Sequence, residues 1–252
     1  MPSIEDPSAS PDVSRPGRPA SGLEFYVAQK LEEVEEAWEL VYDAYRRDDL
    51  IDVNPHRVHT TTQAVGPNTA VILGCLGPLA VGTISAYTDG PDGLPLDSVY
   101  LTEISALRKS GRRLMEVGLF ADRREHINRA ADGLFALMRF AYFFGFPMEC
   151  DDAVIGVHPR HAPFYMRLLG FERIGPVRSY PTVKDHAVVL LRLRLKESLQ
   201  AVPLPKGLAY FSEMSVSGKA FEQRFRFDKA QLADSRIGRF LAERKSVPAS
   251  VA

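Results

Sequence analysis

Cysteine is nearly absent from the sequence: Cys75 and Cys150 are the only two in 252 residues, and they form no CxxC pair. A disulfide framework or a zinc site requires more cysteines at ligand spacing, so the sequence argues against both. We predict two buried thiols in a reducing compartment, which places the protein in the cytoplasm. No cluster of His, Cys and Asp has metal-ligand spacing, so we expect neither a metal ion nor a tightly bound cofactor.

The sequence also lacks long hydrophobic runs and an excess of charge of one sign. Its formal net charge is −1, whereas a general nucleic-acid binder is usually clearly basic, so no nucleic-acid partner is expected. No apolar run reaches the length of a membrane span, and the first 22 residues contain no apolar segment typical of a secretory signal. A composition of 45% hydrophobic and 25% charged residues is typical of a globular protein with one core and an appendage.

Three segments differ in composition. Residues 1–22 are rich in Pro, Ser and Gly, which predicts a disordered N-terminal arm. Residues 23–196 carry the regular hydrophobic patterns of a folded domain. Residues 197–252 start with a linker-like VPLPKG stretch and then mix aromatic with basic residues, which predicts a partly helical C-terminal extension. A helix at its end could pack over the site, make peripheral membrane contact or cap the core, and we favour the last.

Hydrophobic periodicity in the middle segment predicts alternating strands and helices. The predicted strands are 23–29, a hairpin at 69–90 around Gly77 and Pro78, 114–122, 153–157, a short strand near 171–174, and 187–196; the predicted helices are 31–47, 133–146 and 162–169. This order predicts a mixed α/β fold with one three-layer core. It suits a sheet that is splayed at its centre, between 114–122 and 153–157, where free backbone groups could pair with a ligand amide.

Two stretches carry a resemblance to known enzymes. The unit HPRHAPFYMRLLGF, directly after the strand 153–157, resembles the last βα unit of the GNAT acyltransferases. The segment DGLPLDSVYLTEISALRKSGRRLMEVGLFA resembles the N-acyl amino acid synthases, which are GNAT-like enzymes related to the acyl-homoserine lactone synthases. The resemblance spans residues 25–195. It implies a GNAT-like mixed sheet flanked by helices, and transfer of a long-chain acyl group from an acyl carrier protein or coenzyme A thioester to the amine of an amino acid.

The reaction that the resemblance implies needs a base, because an amine must be neutral to attack a thioester. Glu116 lies in the predicted central strand, where a carboxylate is costly unless it is paired or active, and it matches the position of the base proposed for the lactone synthases. The alternative is an ion pair with Arg112, Arg113 or another arginine. Tyr165 matches the GNAT tyrosine that is proposed to protonate the leaving thiolate. The alternative for Tyr165 is a core tyrosine with a satisfied hydroxyl.

Candidates for holding the thioester and the acyl chain come from the central strand, the HPRHAPFY unit and the apolar helix GLFALMRFAYFFGF. That helix could line an acyl tunnel, although a plain core helix is the more usual explanation. The candidates are Val117, Gly118, Leu119, Phe120, His158, Phe164, Phe140 and Phe144, with Phe135, Phe143 and His161 as weaker ones.

Basic residues on both sides of the central strand predict a surface for an acidic acyl carrier protein, with an ordinary solvated face as the alternative. They are Arg112, Arg113, Arg123, Arg124 and Arg129. The segment DRREHINRAADG lacks the RxxGxG/A turn with which many GNAT proteins bind the coenzyme A pyrophosphate. Its absence argues against the alternative of a plain acetyl-coenzyme A N-acetyltransferase.

The acceptor side is expected in residues 42–63, where Tyr45, Arg46, Arg57 and His59 are candidates to hold a carboxylate. Lactone synthases carry an acidic cluster ahead of the hairpin that binds S-adenosylmethionine, whereas HTTTQAVGPNTA contains no acid. The resemblance therefore favours an amino acid or another small amine as acceptor. A non-catalytic GNAT-like protein that binds an acyl carrier or a lipid is the alternative from a different functional class.

Overall fold

One mixed sheet of eight strands organises the computed structural model, which describes residues 22–123, 130–201, 203–213 and 215–246. The strands are β1 (Leu23–Val27), β2 (Thr69–Leu76), β3 (Leu79–Thr88), β4 (Leu114–Asp122), β5 (Asp152–Val157), β6 (Glu172–Arg173), β7 (Arg178–Tyr180) and β8 (His186–Arg194). Their order is β1-β2-β3-β4-β5-β8-β6, and β7 also pairs with β8. The predicted mixed α/β fold is confirmed. The predicted disordered arm, except for its last residue, lies outside the described residues.

Helices cover both faces of the sheet and complete the three layers. They are α1 (Leu31–Arg47), α2 (Asp97–Lys109), α3 (Ala130–Phe144), α4 (Ala162–Leu169), α5 (Leu195–Ser198), α6 (Lys206–Glu213), α7 (Lys219–Glu222), α8 (Lys229–Asp234) and α9 (Arg236–Ser246). One hydrophobic core joins the sheet to α1 and α2, and the other joins it to α3 and α4. Both cysteines are buried free thiols, as predicted.

Helix α1 shows why the strongest patterns were predicted with correct limits. Val34, Trp38 and Val41 recur at helical spacing and are completely buried against the sheet. Acidic residues occupy the first turn and basic residues the last turn, which suits the helix dipole. Trp38 also donates its indole N–H to Ser85 Oγ on β3 over 3.2 Å. This anchor fixes α1 across the strands that carry the site.

Helix α2 was missed by the sequence prediction. It buries only Tyr100 and Ile104, so its hydrophobic periodicity is weak. Tyr100 also departs from helical geometry, with φ −123° and ψ 35°. The short strand β7, which pairs with β8, was also missed, because three residues give no readable alternation.

The sheet separates at its centre, as predicted. Strands β4 and β5 run parallel and pair only from Leu114 to Glu116 with Asp152 to Val154. Beyond Glu116 the two strands have no register with each other, so backbone groups of both face the gap. A β-bulge lies beside this gap, because Leu119 and Phe120 together oppose one residue of β3. Leu119 adopts a left-handed φ of 49° there.

The C-terminal extension packs on both faces of the sheet. Phe211 of α6 and Phe221 of α7 join the core under α3, whereas Ile237 of α9 joins the core under α1. Arg236 additionally forms ion pairs with Glu35 and Glu39 of α1. The helix predicted near the end is divided into α8 and α9 at Ser235. No helix in these described segments is long and apolar enough to cross a membrane.

Candidate active site

A cavity of about 120 Å³ opens at the splay between β4 and β5. Tyr45 reaches it from α1 on one face of the sheet, and Tyr165 reaches it from α4 on the other. The predicted thioester-binding stretch of β4 lines it with Val117, Gly118, Leu119 and Phe120. Where the two strands separate, side chains from the helices on both faces of the sheet therefore reach one apolar site.

Glu116 is buried next to this cavity, with 4% of its surface exposed. Its Oε2 accepts a hydrogen bond from the Leu96 backbone N–H at 3.0 Å, and its Oε1 accepts one from the Tyr87 hydroxyl at 3.3 Å. Burial raises the pKa of Glu116 to about 8, against the opposing effect of these two donors. Nearby Asp97 and Asp89 raise the pKa further. A carboxyl group with such a pKa is suited to proton transfer near neutral pH.

The ion pair considered as an alternative for Glu116 does not form. Arg112 binds Asp152 and Glu197, and Arg113 binds Glu149. No lysine or arginine in the described ranges lies within ion-pair distance of the Glu116 carboxylate. A buried carboxylate without a counter-ion destabilises a fold, so Glu116 is a candidate for a functional role.

Gly118 separates Glu116 from the cavity. A Cβ at this position would lie 3.1 Å from Tyr87 Oη and 3.9 Å from Glu116 Oε1. Because Gly118 has no side chain, only a gap the size of a small side chain separates the Glu116 carboxylate and the Tyr87 hydroxyl from the cavity. One water molecule can bridge a gap of this size.

Tyrosine side chains surround Glu116. Burial, Tyr165 and Glu116 together raise the pKa of Tyr45 to about 12. Burial and Glu116 also raise the pKa values of Tyr87 and Tyr180. All of these phenols are therefore neutral at physiological pH and able to donate a proton or a hydrogen bond.

Tyr165 lies in the first half of α4 and lines the cavity. Its ring packs at 5.2 Å from Phe164 and 5.9 Å from Phe171. Burial raises its pKa, which keeps the hydroxyl protonated. Pro163 in the first turn and the left-handed Gly170 after the last turn limit the helix, and together they fix the ring at the splay.

The remaining predicted acyl-binding residues do not line the cavity. Phe140 and Phe144 are buried in the core, where Phe144 packs on Phe221 at 5.5 Å. Phe164 packs on Phe135 at 5.7 Å. His158 is exposed and its Nδ1 accepts the backbone N–H of Arg160, so it caps the turn before α4. Helix α3 does face the cavity, but through Met138, Ala141 and Tyr142.

The predicted carrier-binding arginines do not form one surface. Arg112 and Arg113 precede β4, whereas Arg123 follows it, and ten residues of extended chain separate the two groups by roughly 30 Å. Arg112 forms an ion pair with the fully buried Asp152. Arg123 donates to the Ala80 carbonyl beside the end of β4 that carries the cavity. Arg124 and Arg129 lie outside the described residues.

Two of the predicted acceptor-side arginines are engaged elsewhere. Arg46 donates to the Ile51 carbonyl, and Arg57 forms ion pairs with Glu39 and Asp43 on the outer face of α1. Tyr45 lines the cavity, and the ring of the buried His59 lies 5.2 Å from it.

The sequence prediction missed three residues near the site. Tyr87 lies on β3, on the same face as Thr83 and Ser85, which are also buried. This alternation of polar residues in an apolar strand was the signal in the sequence. Phe211 and Arg244 belong to the extension, where no resemblance indicated a role. Arg244 lies over the Phe240 ring at 5.6 Å, and that ring contacts His59 at 6.1 Å. In the described residues Arg244 has no carboxylate partner.

Comparison with known proteins identifies the family. Residues 36–194 match the sequence profile described as N-acyl amino acid synthase FeeM. The chain belongs to this family. No curated protein sequence is similar enough to count as a match. The structure of FeeM, an N-acyl amino acid synthase from uncultured soil microbes, is 27% identical with a TM-score of 0.62, over 69% of this chain and 91% of that one.

Acyl-homoserine lactone synthases share the fold of this FeeM family member. The structure of the acyl-homoserine lactone synthase LasI has 13% identity and a TM-score of 0.50, over 69% of this chain and 89% of that one. BjaI, a CoA-dependent acyl-homoserine lactone synthase solved with SAM and isopentyl-CoA, has 13% identity and a TM-score of 0.52, over 77% and 92%. The resemblance stated from sequence is thereby confirmed, and the protein is an acyltransferase with a GNAT-like sheet. Within the ranges described, no group of His, Cys, Asp and Glu could hold a metal ion.

Proposed function

We propose that the protein transfers a long-chain acyl group from a thioester of acyl carrier protein or coenzyme A to the amine of an amino acid. The observation that carries this proposal is the buried Glu116, which has no counter-ion among the residues that the structure describes and lies behind Gly118 at an apolar cavity. An acyl chain fits an apolar cavity, and a carboxylate with a pKa of about 8 fits the removal of a proton from an amine.

Glu116 acts as the base through one water molecule. The neutral amine attacks the thioester carbonyl at the splay, and the new C–N bond forms as the amine proton passes to Glu116. Backbone N–H groups on the unpaired edge of β4 stabilise the oxyanion. The C–S bond then breaks and Tyr165 donates its proton to the thiolate. Before the next turnover Glu116 releases the amine proton to water and Tyr165 takes one proton from water, so both groups return to their starting states.

The acceptor carboxylate lies on the α1 face, toward Arg244. Arg46 donates to the Ile51 carbonyl, and Arg57 pairs with Glu39 and Asp43. Arg244 of α9 is therefore the candidate cation on this face. Burial, with the Arg244 charge as a smaller cause, lowers the pKa of His59 to about 3. The same charge slightly opposes the rise that burial causes in the pKa of Tyr180. The Arg244 charge therefore reaches the side of the cleft on which Glu116 lies. His59 remains neutral there and adds no competing charge.

The test uses purified full-length protein with a mixture of amino acids and three donors in parallel: long-chain acyl carrier protein, long-chain acyl-coenzyme A and acetyl-coenzyme A. Mass spectrometry of the products is expected to show N-acyl amino acids from a long-chain donor. Glu149→Gln serves as the matched control for Glu116→Gln, because Glu149 is an exposed carboxylate in the loop before β5 that pairs with Arg113. Products from acetyl-coenzyme A alone would support the N-acetyltransferase alternative. Donor binding with no product from any amine would support the non-catalytic alternative.

A further inference from the structure

One wall of the cavity comes from outside the segment that matches the family. The match ends at residue 194, whereas Phe211 of α6 lines the cavity and is 2% exposed. Its ring centroid lies 5.6 Å from that of Tyr142 and 6.2 Å from that of Phe135, both on α3. Because Phe135 in turn packs on Phe164 of α4, Phe211 fills the space between α3 and α4.

The position of α6 is fixed by a close approach. A Cβ at Gly207 would lie 2.6 Å from Leu169 Cδ2, 2.7 Å from the Leu168 carbonyl oxygen and 2.9 Å from the Phe135 ring. No side chain fits there, so glycine lets α6 lie directly on α4 and α3. Phe211, four residues later and one helical turn along, is thereby directed between the two helices.

The cavity is polar at the splay and apolar at its other end. Tyr45 and Tyr165 are at the splay, next to Val157 at the end of β5. The other end reaches Ala153 and Leu195, roughly 13 Å back along β5 at about 3.3 Å per residue. Tyr142 presents only its ring there, since its hydroxyl is hydrogen-bonded to Ser198 Oγ at 3.0 Å. A chain that enters at the splay therefore runs over Ala141 and Tyr142 toward Phe211.

We propose that Phe211 of the C-terminal extension limits the length of the saturated acyl chain that the cavity accepts. The limit is steric, because the ring fills the space between α3 and α4 toward which a longer chain would extend. The inference rests on the proposed function in assigning the cavity to an acyl chain.

The test measures binding and transfer separately in the full-length protein. Binding of free saturated fatty acids of increasing length is followed by calorimetry, and transfer is followed with acyl donors of the same lengths. In the unaltered protein, affinity is expected to increase with chain length up to a limiting length and not to increase beyond it. In Phe211→Leu the limit moves to longer chains, and the kcat/KM ratio of a long to a short donor rises about tenfold.

Two further variants separate a change of the wall from a general loosening of the core. Phe221→Leu removes the same volume from a buried phenylalanine of the extension that packs on Phe144 and does not line the cavity, so its length limit stays unchanged. Ala141→Leu fills the cavity from α3 and moves the limit to shorter chains, which keeps the test informative even if Phe211→Leu does not fold.

Each outcome decides the proposal. An equal limit in Phe211→Leu and Phe221→Leu overturns it, as does an unchanged limit in Ala141→Leu. Length-dependent binding that shifts in Phe211→Leu without transfer to any amine supports the role of Phe211 and rejects the proposed function. No binding of any chain rejects both.

Discussion

Tyr87 and Glu116 are directly opposite each other in the β3–β4 pair, and the Tyr87 hydroxyl donates to Glu116 Oε1 over 3.3 Å. This relationship places a neutral donor where a counter-ion would otherwise be expected. The carboxylate is oriented by two hydrogen bonds, yet its charged form remains unfavourable because it is buried. Glu116 can therefore gain and lose a proton close to neutral pH.

Replacement of Glu116 by Gln is expected to reduce kcat by about 100-fold or more, the usual contribution of a general base. Gln can accept from Leu96 N–H and donate to Tyr87 Oη, so both hydrogen bonds are retained. Steady-state kinetics beside Glu149→Gln measures the effect. Equal activities of the two variants would remove Glu116 from the reaction.

Stability should depend on pH in a way that Glu116→Gln abolishes. The native carboxyl keeps its proton up to a pKa of about 8, whereas the unfolded chain releases it near the ordinary value of 4.5. The folded state favours the protonated carboxyl, so the unfolding free energy is highest below pH 4.5. It falls as the pH rises from there through about 8. Urea unfolding at several pH values should show a smaller loss of unfolding free energy in the variant. A parallel loss in both proteins would contradict the raised pKa.

Tyr87→Phe is expected to shift the activity profile rather than eliminate activity. Loss of a donor to the charged carboxylate raises the pKa of Glu116 further, so the rise of kcat/KM moves to higher pH. The measurement is kcat/KM against pH for both proteins. A uniform decrease at every pH would indicate that Tyr87 has only a structural role.

Tyr165→Phe should lower kcat by less than the roughly 100-fold expected for a full general acid, because a thiolate is already a good leaving group. The loss should be smaller still with an aryl thioester, whose thiolate needs no proton. Phe also keeps the contacts with Phe164 and Phe171. The same loss with alkyl and aryl thioesters would assign the hydroxyl to binding instead.

Arg244→Gln should raise KM for an amino acid about tenfold or more and leave KM for the corresponding decarboxylated amine unchanged, since only the amino acid carries the carboxylate. Arg239→Gln is the matched control, because Arg239 lies on the same helix and donates to the Asp234 carbonyl. An equal rise for both acceptors would place the carboxylate elsewhere.

The sequence predicted those parts of the fold that have strong local patterns. The limits of α1, β4 and α4 agree with the structure because each has clear periodicity or a turn residue at its end. Glu116 was identified because a carboxylate within an apolar strand is unusual and because it matches the position of the base proposed for the lactone synthases. Arg112 shows the limit of this reasoning: its partner Asp152 lies 40 residues away, and an exposed and a buried arginine look the same in sequence. Phe211 was missed for the same reason, since only tertiary packing brings α6 to the cavity.

Gly207 and Phe211 also determine when the space between α3 and α4 is filled during synthesis. Strands and helices up to residue 198 leave the ribosome before α6, and at that stage the space between α3 and α4 is open to water. The nascent domain therefore exposes an apolar cleft that its own later residues close. Aggregation and chaperone binding should be greatest in that interval, before the chain has grown past α6.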